Sequence, residues 1–259
     1  MKSMSTARST AAGKPEDFDP DRILFHGHGI VVVDKPAGIP SHRGTGHEAG
    51  IAEIVEQWVT LNPGILDMRP GTRVHPVNRL DLEASGVLVL SHKKSATRHA
   101  KTAFTERSIR KSYLAVVAGP VDSAGRLKGS VRTKLRGRYR RVKAELDYRR
   151  LRHDERMSLV EVTPEGGKTH QIRALFAEHG RPLAGDLRYG RPKPARQFLE
   201  KFGVAHLLLH AWRLEMPEDA IGHAITLEAP TPQAFEQVCR QKGWAVLRQD
   251  DAGDLVADP

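Results

Sequence analysis

The stretch NRLDLEASGVLVL, residues 78–90, joins a polar segment directly to an apolar one. Residues 87–90 are apolar at every position, which predicts a β-strand that is buried on both faces. Arg79 and Asp81 lie just before that strand, at positions whose side chains would point the same way from an extended backbone. The segment could therefore hold the pair at the edge of a cleft. A structural ion pair at the surface is the alternative, and this stretch alone favours it over catalysis.

The flanking sequence contains strands and helices that do not alternate strictly. Apolar runs predict further strands at residues 30–33, 113–117, 157–162 and 207–214. Helical spacing predicts helices over residues 51–62, 95–106 and 169–178, and a last helix that has Thr231 as N-cap, Pro232 in its first turn and Gly243 after its end. No linker or repeat divides this pattern, so we expect one α+β domain over residues 18–245.

The charge of the chain is strongly basic and unevenly distributed. Lys and Arg number 41 against 31 Asp and Glu, which gives a formal net charge of +10. Much of the excess lies in residues 126–152, where only Glu145 and Asp147 oppose the bases, among them Arg136, Arg138, Arg140 and Arg141. Such density predicts a polyanion partner, RNA or DNA, because each phosphate contact releases counterions. The alternative is a solvated, highly charged surface hairpin.

Several classes of protein do not fit the sequence. It has no run of about 18 apolar residues that could span a membrane, and residues 1–17 lack the apolar block of a secretory signal, so we expect a disordered leader there. The acidic tail, residues 246–259, is also expected to be disordered. Cys239 is the only cysteine, so no internal disulfide is possible and a cytoplasmic location is predicted.

Residues 166–173, GGKTHQIR, are a second candidate for a functional segment. The two glycines would let the backbone approach a ligand closely, and the N-terminus of the following helix would offer free N–H groups to an anion. The spacing of a Walker phosphate loop is absent. A tight strand-to-helix turn is an equally good explanation of this segment alone. We expect no metal, because the sequence has neither a Cys-x-x-Cys nor a His-Glu-x-x-His pattern.

Taken together, these segments resemble the motifs of the RluA-type pseudouridine synthases. Residues 79–86, RLDLEASG, resemble the catalytic motif of that family, and residues 111–115, KSYLA, its tyrosine motif. Residues 167–173, GKTHQIR, and 180–190, GRPLAGDLRYG, resemble its third motif. VDKPAG at 33–38 and LHA at 209–211 match signatures near either end. The matches follow the order of the family and span about residues 30–215.

The resemblance implies a fold and a reaction. The fold would be a single catalytic domain in which helices flank a mixed, largely antiparallel sheet around a central RNA-binding cleft. We expect no accessory N-terminal RNA-binding domain, because the first family-like strand begins near Ile30. The enzyme would flip specific uridines out of structured RNA, ribosomal or transfer, and isomerise them to pseudouridine. The resemblance implies that this reaction needs no cofactor or metal.

The resemblance also implies roles for individual residues. Asp81 would be the catalytic carboxylate and Arg173 its cationic partner, while Tyr113 would stack on the uracil and move a proton. Arg79 would fill the gap that the flipped base leaves. The further residues expected to bind RNA are Lys168, His170 and Gln171, together with Arg136, Arg138, Arg140 and Arg141 of the basic stretch.

The sequence departs from the family pattern at three positions. Asn78 stands where the family usually has His, Ala84 where it usually has Thr, and Lys168 where Arg is common. These departures leave open a non-catalytic RNA-binding protein on the same scaffold. The three residues with expected catalytic roles are all retained, which favours an enzyme. We expect a monomer that needs no obligate protein partner.

Overall fold

The central strands form where the chain is rich in β-branched and apolar residues, whereas the two longest strands, Ala124–Leu135 and Arg138–His153, are rich in Arg and Lys. A computed structural model describes residues 18–44, 49–135, 137–245, 247–249 and 255–257. The strands are β1 (Ile23–Gly27), β2 (Ile30–Lys35), β3 (His75–Pro76), β4 (Ser85–Ser91), β5 (Arg110–Ala118), β6 (Ala124–Leu135), β7 (Arg138–His153), β8 (Met157–Glu165), β9 (Leu209–Met216), β10 (Ile225–Glu228), β11 (Leu247–Gln249) and β12 (Leu255–Ala257). The five predicted strands are confirmed as β2, β4, β5, β8 and β9.

The helices follow the apolar periodicity of the sequence. They are α1 (Ile51–Leu61), α2 (Lys94–Glu106), α3 (Gln171–Glu178), α4 (Pro192–Phe202), α5 (Glu218–Ile221) and α6 (Gln233–Lys242). In α1, for example, Ile54, Val55 and Trp58 recur at helical spacing and are buried. None of the helices in the described part of the chain is long and apolar enough to cross a membrane.

The sheet is mixed and largely antiparallel, as predicted. Its strand order is β1-β2-β4-β9-β5-β8-β7-β6, with β3 paired to β4 and β10 paired to β9. β4 and β9 pair in parallel, through Ser85 with His210 and Gly86 with Ala211, and the other pairs of this sheet are antiparallel. Gly86 has a φ of 107°, and a Cβ there would collide with the carbonyl oxygen of Ala211. The close approach of β4 to β9 therefore requires a glycine.

Both faces of the sheet are covered. On one face, Ala115 of β5 and Val162 of β8 share a core with residues of α1 and α3. On the opposite face, Leu114 and Leu159 pack with residues of α4 and α6. A third cluster joins α2 and α5 to β2, β4, β9 and β10. Because strand side chains alternate between the two faces, one strand contributes to two cores, which explains why the central runs are apolar at every position.

Some boundaries differ from the prediction. α3 begins at Gln171 because His170 has a left-handed backbone, with a φ of 54°, that cannot continue a helix. The N-cap of α6 is Pro232 rather than Thr231, since the ψ of Pro232 is extended at 145°. β11 pairs with β12, so part of the predicted acidic tail forms a backbone ladder. The predicted leader, residues 1–17, and the rest of the tail lie outside the described residues.

Candidate active site

A cleft of about 960 Å³ opens on the face of the sheet that carries α3. The loop before β4 lines one side of it, and the turn between β8 and α3 lines the other. Tyr113 of β5 and Leu209 of β9 also line it. The two candidate segments of the sequence therefore meet in one cavity, although Asp81 and Arg173 are 92 residues apart in the chain.

Arg173 is the electrostatic centre of this cleft. It lies in the first turn of α3 and its side chain is only 1% exposed. Its Nε and Nη2 donate to the two carboxylate oxygens of Asp186, at 2.8 and 3.0 Å. The remaining Nη1 donates to Asp81 at 3.2 Å and to Glu83 at 3.0 Å. One guanidinium thus joins a buried carboxylate behind it to two carboxylates of the loop before β4.

Asp186 fixes the orientation of that guanidinium. Its Oδ1 also accepts hydrogen bonds from the backbone N–H groups of Arg188 and Tyr189, at 2.9 and 3.0 Å. Burial acts to raise the pKa of Asp186, but the hydrogen bonds from Arg173 and the backbone bring it below its ordinary value. Burial likewise acts to lower the pKa of Arg173, but the hydrogen bond to Asp186 and the negative charges of Asp186, Glu83 and Asp81 together raise it above its ordinary value. The bidentate pair is therefore charged, and its planar geometry directs Nη1 towards Asp81.

Asp81 lies at the edge of the cleft with its side chain 18% exposed. Buried polar contacts hold its loop on both sides. Ser41 Oγ donates to the carbonyl oxygen of Leu80 at 3.1 Å and accepts from the N–H of Leu80 at 3.0 Å. The Lys35 ammonium, which is fully buried, donates to three carbonyl oxygens, including that of Leu82 at 3.4 Å. These contacts hold the loop, and with it the Asp81 carboxylate, in one position.

Three of these side chains were not predicted as site residues from the sequence, namely Lys35, Glu83 and Asp186. Lys35 and Asp186 belong to segments that resemble family motifs, but nothing in their spacing indicates that Lys35 supports the loop of Asp81 or that Asp186 binds Arg173. Glu83 could have been found, because it has the same parity as Asp81 in the first stretch. Burial lowers the pKa of Lys35 to about 7, although the charge of Asp81 opposes the shift.

His170 faces Asp81 from the other side of the cleft. Its Nδ1 lies 3.1 Å from the Tyr189 hydroxyl, and its Nε2 lies 3.8 Å from Asp81 Oδ1. Burial lowers the pKa of His170, against the effect of the Asp81 charge, so the neutral ring is favoured. A phenol that donates to Nδ1 leaves the ring proton on Nε2, towards the carboxylate. The left-handed backbone of His170 is part of what aims this ring.

Tyr113 lies between the sheet and the cleft. It pairs with Val162 of β8 and Ala211 of β9, so its position is set by the centre of the sheet. Burial raises the pKa of the Tyr113 phenol, and the negative charge of Asp81 raises it further. Tyr113 therefore keeps its proton at neutral pH and offers the cleft both an aromatic ring and a hydroxyl.

The residues predicted to bind RNA around the cleft fall into two groups. Arg79 and Lys168 line the cleft and are exposed. Gln171 also lines it, but it is buried and its amide is engaged with the backbone. The Gln171 NH₂ donates to the carbonyl oxygens of Glu145 and Glu165, at 2.8 and 3.2 Å, and its oxygen accepts from the N–H of Lys168 at 3.0 Å. These bonds make Gln171 a clamp on the turn before α3.

The two departures from the family pattern near Asp81 are accommodated by the fold. Asn78 Oδ1 accepts a hydrogen bond from the N–H of Val89 at 2.9 Å, which ties the entering segment to β4. Ala84 is buried and packs in the main core. Neither residue contacts Arg173 in a way that would disturb the ion pair with Asp81.

The basic stretch forms the long β6–β7 hairpin, and the strand register divides its bases. Cross-strand partners share a face of a sheet, and neighbours along a strand alternate. Tyr148 pairs with Val162, which pairs with Tyr113, so even-numbered residues of β7 below 148 lie on the face that carries the cleft. Arg138 and Arg140 therefore lie on the cleft face and Arg141 on the opposite one. Arg136 lies outside the described residues.

Acidic side chains pair with basic residues mainly in the half of this hairpin that is distant from its turn. Arg126 pairs with Asp147 at 2.7 Å and with Glu165 at 3.2 Å, and Lys128 pairs with Glu145 at 3.4 Å. β8 and α3 add Glu161, which pairs with Arg149, and Glu178, which pairs with Arg141. The neighbouring elements thus supply acids that inspection of residues 126–152 alone does not reveal. Arg138 and Arg140 take no part in these ion pairs, and both are exposed.

No group of three or more His, Cys, Asp and Glu side chains that could hold a metal ion occurs among the described residues. The cleft instead presents a carboxylate, a buried arginine, a neutral phenol and a histidine. Such an arrangement can deliver a nucleophile or base to an uncharged ring, and a fixed cation holds the carboxylate in place.

Comparison with known proteins defines the class. The model of the RNA pseudouridylate synthase family matches residues 29–178, and the chain belongs to this family. It is an enzyme, an isomerase of RNA, and the resemblance to the RluA-type synthases is confirmed. Ribosomal large subunit pseudouridine synthase C of Escherichia coli is 33% identical over 233 residues, which cover 86% of this chain and 70% of that protein. The synthase C of Vibrio vulnificus is 29% identical over 244 residues, which cover 92% of this chain and 74% of that protein.

Solved structures agree on the fold. The human RNA pseudouridylate synthase domain containing 4 superposes with a TM-score of 0.67 at 24% identity, covering 85% of this chain and 92% of that one. The human RNA pseudouridylate synthase domain containing 1 gives a TM-score of 0.64 at 22% identity, covering 86% of this chain and 87% of that one.

Proposed function

We propose that this enzyme converts specific uridines of ribosomal RNA to pseudouridine and that Asp81 is its catalytic carboxylate. The observation that carries the proposal is the ion pair between Asp81 and Arg173, at 3.2 Å, inside the cleft. A nucleophile or base must be held in one place relative to the substrate. The buried guanidinium, itself held by Asp186, orients the Asp81 carboxylate in the cleft. The names of the relatives support ribosomal RNA as the substrate.

The target uridine leaves its stack before it reaches Asp81. Extrusion costs a few kcal/mol in a duplex and less in a loop, where the base is already unstacked. Arg79 is exposed at the mouth of the cleft, next but one to Asp81, and its guanidinium fills the gap left in the stack. Phosphate contacts from Lys168 and from the cleft face of the hairpin hold the RNA without reading its sequence.

Inside the cleft, the reaction exchanges the bond from ribose to uracil nitrogen 1 for a bond to uracil carbon 5. Asp81 acts as nucleophile or base, and the neutral His170 ring faces its second oxygen, with Nε2 at 3.8 Å. The Tyr113 ring stacks on the uracil, and its protonated phenol can pass a proton at the end of the reaction. RNA bound over the open cleft would retain the detached uracil and keep water from the sugar.

The test is release of tritium from RNA that is labelled at uracil carbon 5, because the new bond to ribose forms at that carbon. Ribosomal and transfer RNA from a strain that lacks the gene are incubated separately with the wild type, with Asp81→Asn and with Glu83→Gln. Glu83→Gln is the matched control, since it removes a carboxylate that shares the same Arg173 nitrogen. We expect release from ribosomal RNA by the wild type and by Glu83→Gln, and none by Asp81→Asn.

Two outcomes would contradict the proposal. Release by Asp81→Asn at the wild-type rate would remove Asp81 from the chemistry. Release from transfer RNA alone would reject the proposed substrate. Binding of each variant to RNA is measured in parallel, so that a loss of activity is separated from a loss of affinity.

A further inference from the structure

The end of the β6–β7 hairpin carries an aromatic residue that no core requires. Tyr139 is 63% exposed, which is unusual for a large side chain that could be buried. The guanidinium carbon of Arg132 lies 4.2 Å from the centre of its ring, within the range of a cation–π contact. One face of the ring is thus covered by a cation, and the high exposure leaves the rest of the ring open to solvent.

The strand register places this pair on the side of the hairpin opposite the cleft. Tyr139 pairs with Lys134 and Arg132 pairs with Arg141, without a bulge between β6 and β7. These positions have the opposite parity to Arg140, which lies on the cleft face. We call the surface formed by Arg132, Tyr139, Arg141 and Lys143 the far face of the hairpin. This surface and the cleft therefore lie on opposite sides of the hairpin.

The charge of the far face is positive and largely uncompensated. Arg132 and Arg141 are directly opposite each other, an arrangement of like charges that destabilises a strand pair. Arg141 is bound to Ser130 and pairs with Glu178 at 3.7 Å. Within the described residues, neither Arg132 nor Lys143 forms an ion pair with a carboxylate. The repulsion would be relieved by an anion bound across the two strands.

We propose that the far face of the hairpin is a second RNA-binding site, which takes an unpaired base stacked on Tyr139 and the adjoining phosphates on Arg132 and Lys143. Proteins hold single-stranded nucleic acid with exposed aromatic rings set among basic side chains, because every nucleobase has a π face that can stack on such a ring. The inference rests on the proposed function in one respect, that the partner is RNA. It implies that the enzyme holds its RNA at two separate segments, one in the cleft and one behind the hairpin.

The test compares variants of a side chain whose loss cannot disturb the core. A short fluorescein-labelled oligouridylate and a blunt RNA duplex of equal length are titrated with wild type, Tyr139→Ala and Tyr139→Phe. Leu61→Ala is the matched control, because Leu61 is also 63% exposed but lies at the end of α1. We expect Tyr139→Ala to weaken binding of the oligouridylate about five- to a hundredfold, the usual effect of losing one stacking ring. Tyr139→Phe and Leu61→Ala should bind like the wild type.

Further readouts distinguish stacking from charge and from catalysis. Tyr139→Ala should leave the salt dependence of binding unchanged, whereas Lys143→Gln should reduce its slope by about one unit or slightly less. The duplex should bind all Tyr139 variants equally, because its bases are not available. Equal oligouridylate affinity for wild type and Tyr139→Ala would overturn the inference, as would an equal loss in Tyr139→Phe. Failure of tritium release would refute the proposed function but not this site, since these titrations measure binding alone.

Discussion

The replacement Asp186→Asn tests whether the active-site arginine is oriented from behind. Asp186 is fully buried and accepts two hydrogen bonds from Arg173 and two from the backbone. An asparagine keeps one oxygen, so its NH₂ group must face at least one of these donors. Breaking one partner of a buried ion pair costs about 3–5 kcal/mol. Because Asp81 and Glu83 still neutralise Arg173, we expect a loss near the lower limit, about 3 kcal/mol.

The loss should be visible in activity as well as in stability. A domain of this kind has a free energy of unfolding of about 5–15 kcal/mol, so the variant should remain folded. Its Arg173 would no longer be held in one orientation, and misplacement by about 1 Å can reduce a rate by about a hundredfold. We therefore expect kcat/KM for tritium release to fall by about that factor while the affinity for RNA is unchanged.

Glu83→Gln is the control for this experiment. Glu83 is 35% exposed and touches only the nitrogen that Asp81 also uses, so its removal should cost less than about 1 kcal/mol. Urea unfolding of the two variants and the wild type gives the comparison. The reasoning fails if Asp186→Asn and Glu83→Gln have the same free energy of unfolding, or if Asp186→Asn is destabilised but fully active.

Two further predictions follow from the hairpin and from the buried histidine. Arg138→Gln combined with Arg140→Gln should reduce the slope of log K for RNA binding against log salt by about 1.4–1.8, because two phosphate contacts are lost. Arg126→Gln is the control, because its charge is already paired with Asp147 at 2.7 Å. Equal slopes for the two variants would contradict the assignment. Burial lowers the pKa of His210 from 6.5 to about 4. Between these two pH values, the unfolded chain binds a proton that the folded chain does not. The free energy of unfolding therefore falls as the pH falls, by about 3 kcal/mol in all. His210→Gln lacks this dependence. In urea unfolding, the free energy of unfolding of the wild type should exceed that of the variant by more near pH 7 than near pH 4. Parallel pH profiles of the two proteins would contradict this prediction.

The fold was largely predictable because its signals are local. The apolar runs of β2, β4, β5, β8 and β9 and the periodicity of α1 and α2 depend only on neighbouring residues. The sequence does not predict α4, α5 or several strands, among them the basic β6 and β7. For the elements that it predicts, the errors lie at boundaries, where single backbone angles matter. The left-handed φ of His170 delays α3, and the extended ψ of Pro232 delays α6. Residue type alone does not predict either angle, because each backbone angle depends on the tertiary contacts of its turn.

The site was predictable only in part. The motifs that resemble those of the family predict Asp81, Tyr113, Arg173 and the flanking polar residues as site residues. The fold brings these residues together in one cleft. Gln171 was predicted to bind RNA, and its amide is engaged with three backbone groups, so its contact with RNA stays a prediction. No pattern in the sequence links Lys35 to the loop of Asp81, because that link runs from the Lys35 ammonium to a carbonyl oxygen 47 residues away.

By itself, the sequence predicted five strands of the sheet and the residues that can carry the chemistry, and its basic stretch favoured a polyanion partner. Only the tertiary structure decided which of these residues act on one another. The parallel pairing of β4 with β9 sets Asp81 beside the sheet centre, and the turn before α3 brings Arg173 to it. Register alone separates Arg138 and Arg140 from Arg132 and Tyr139, because adjacent side chains of a strand point to opposite faces. Pairing between distant strands creates these contacts, and no local pattern of residues encodes it.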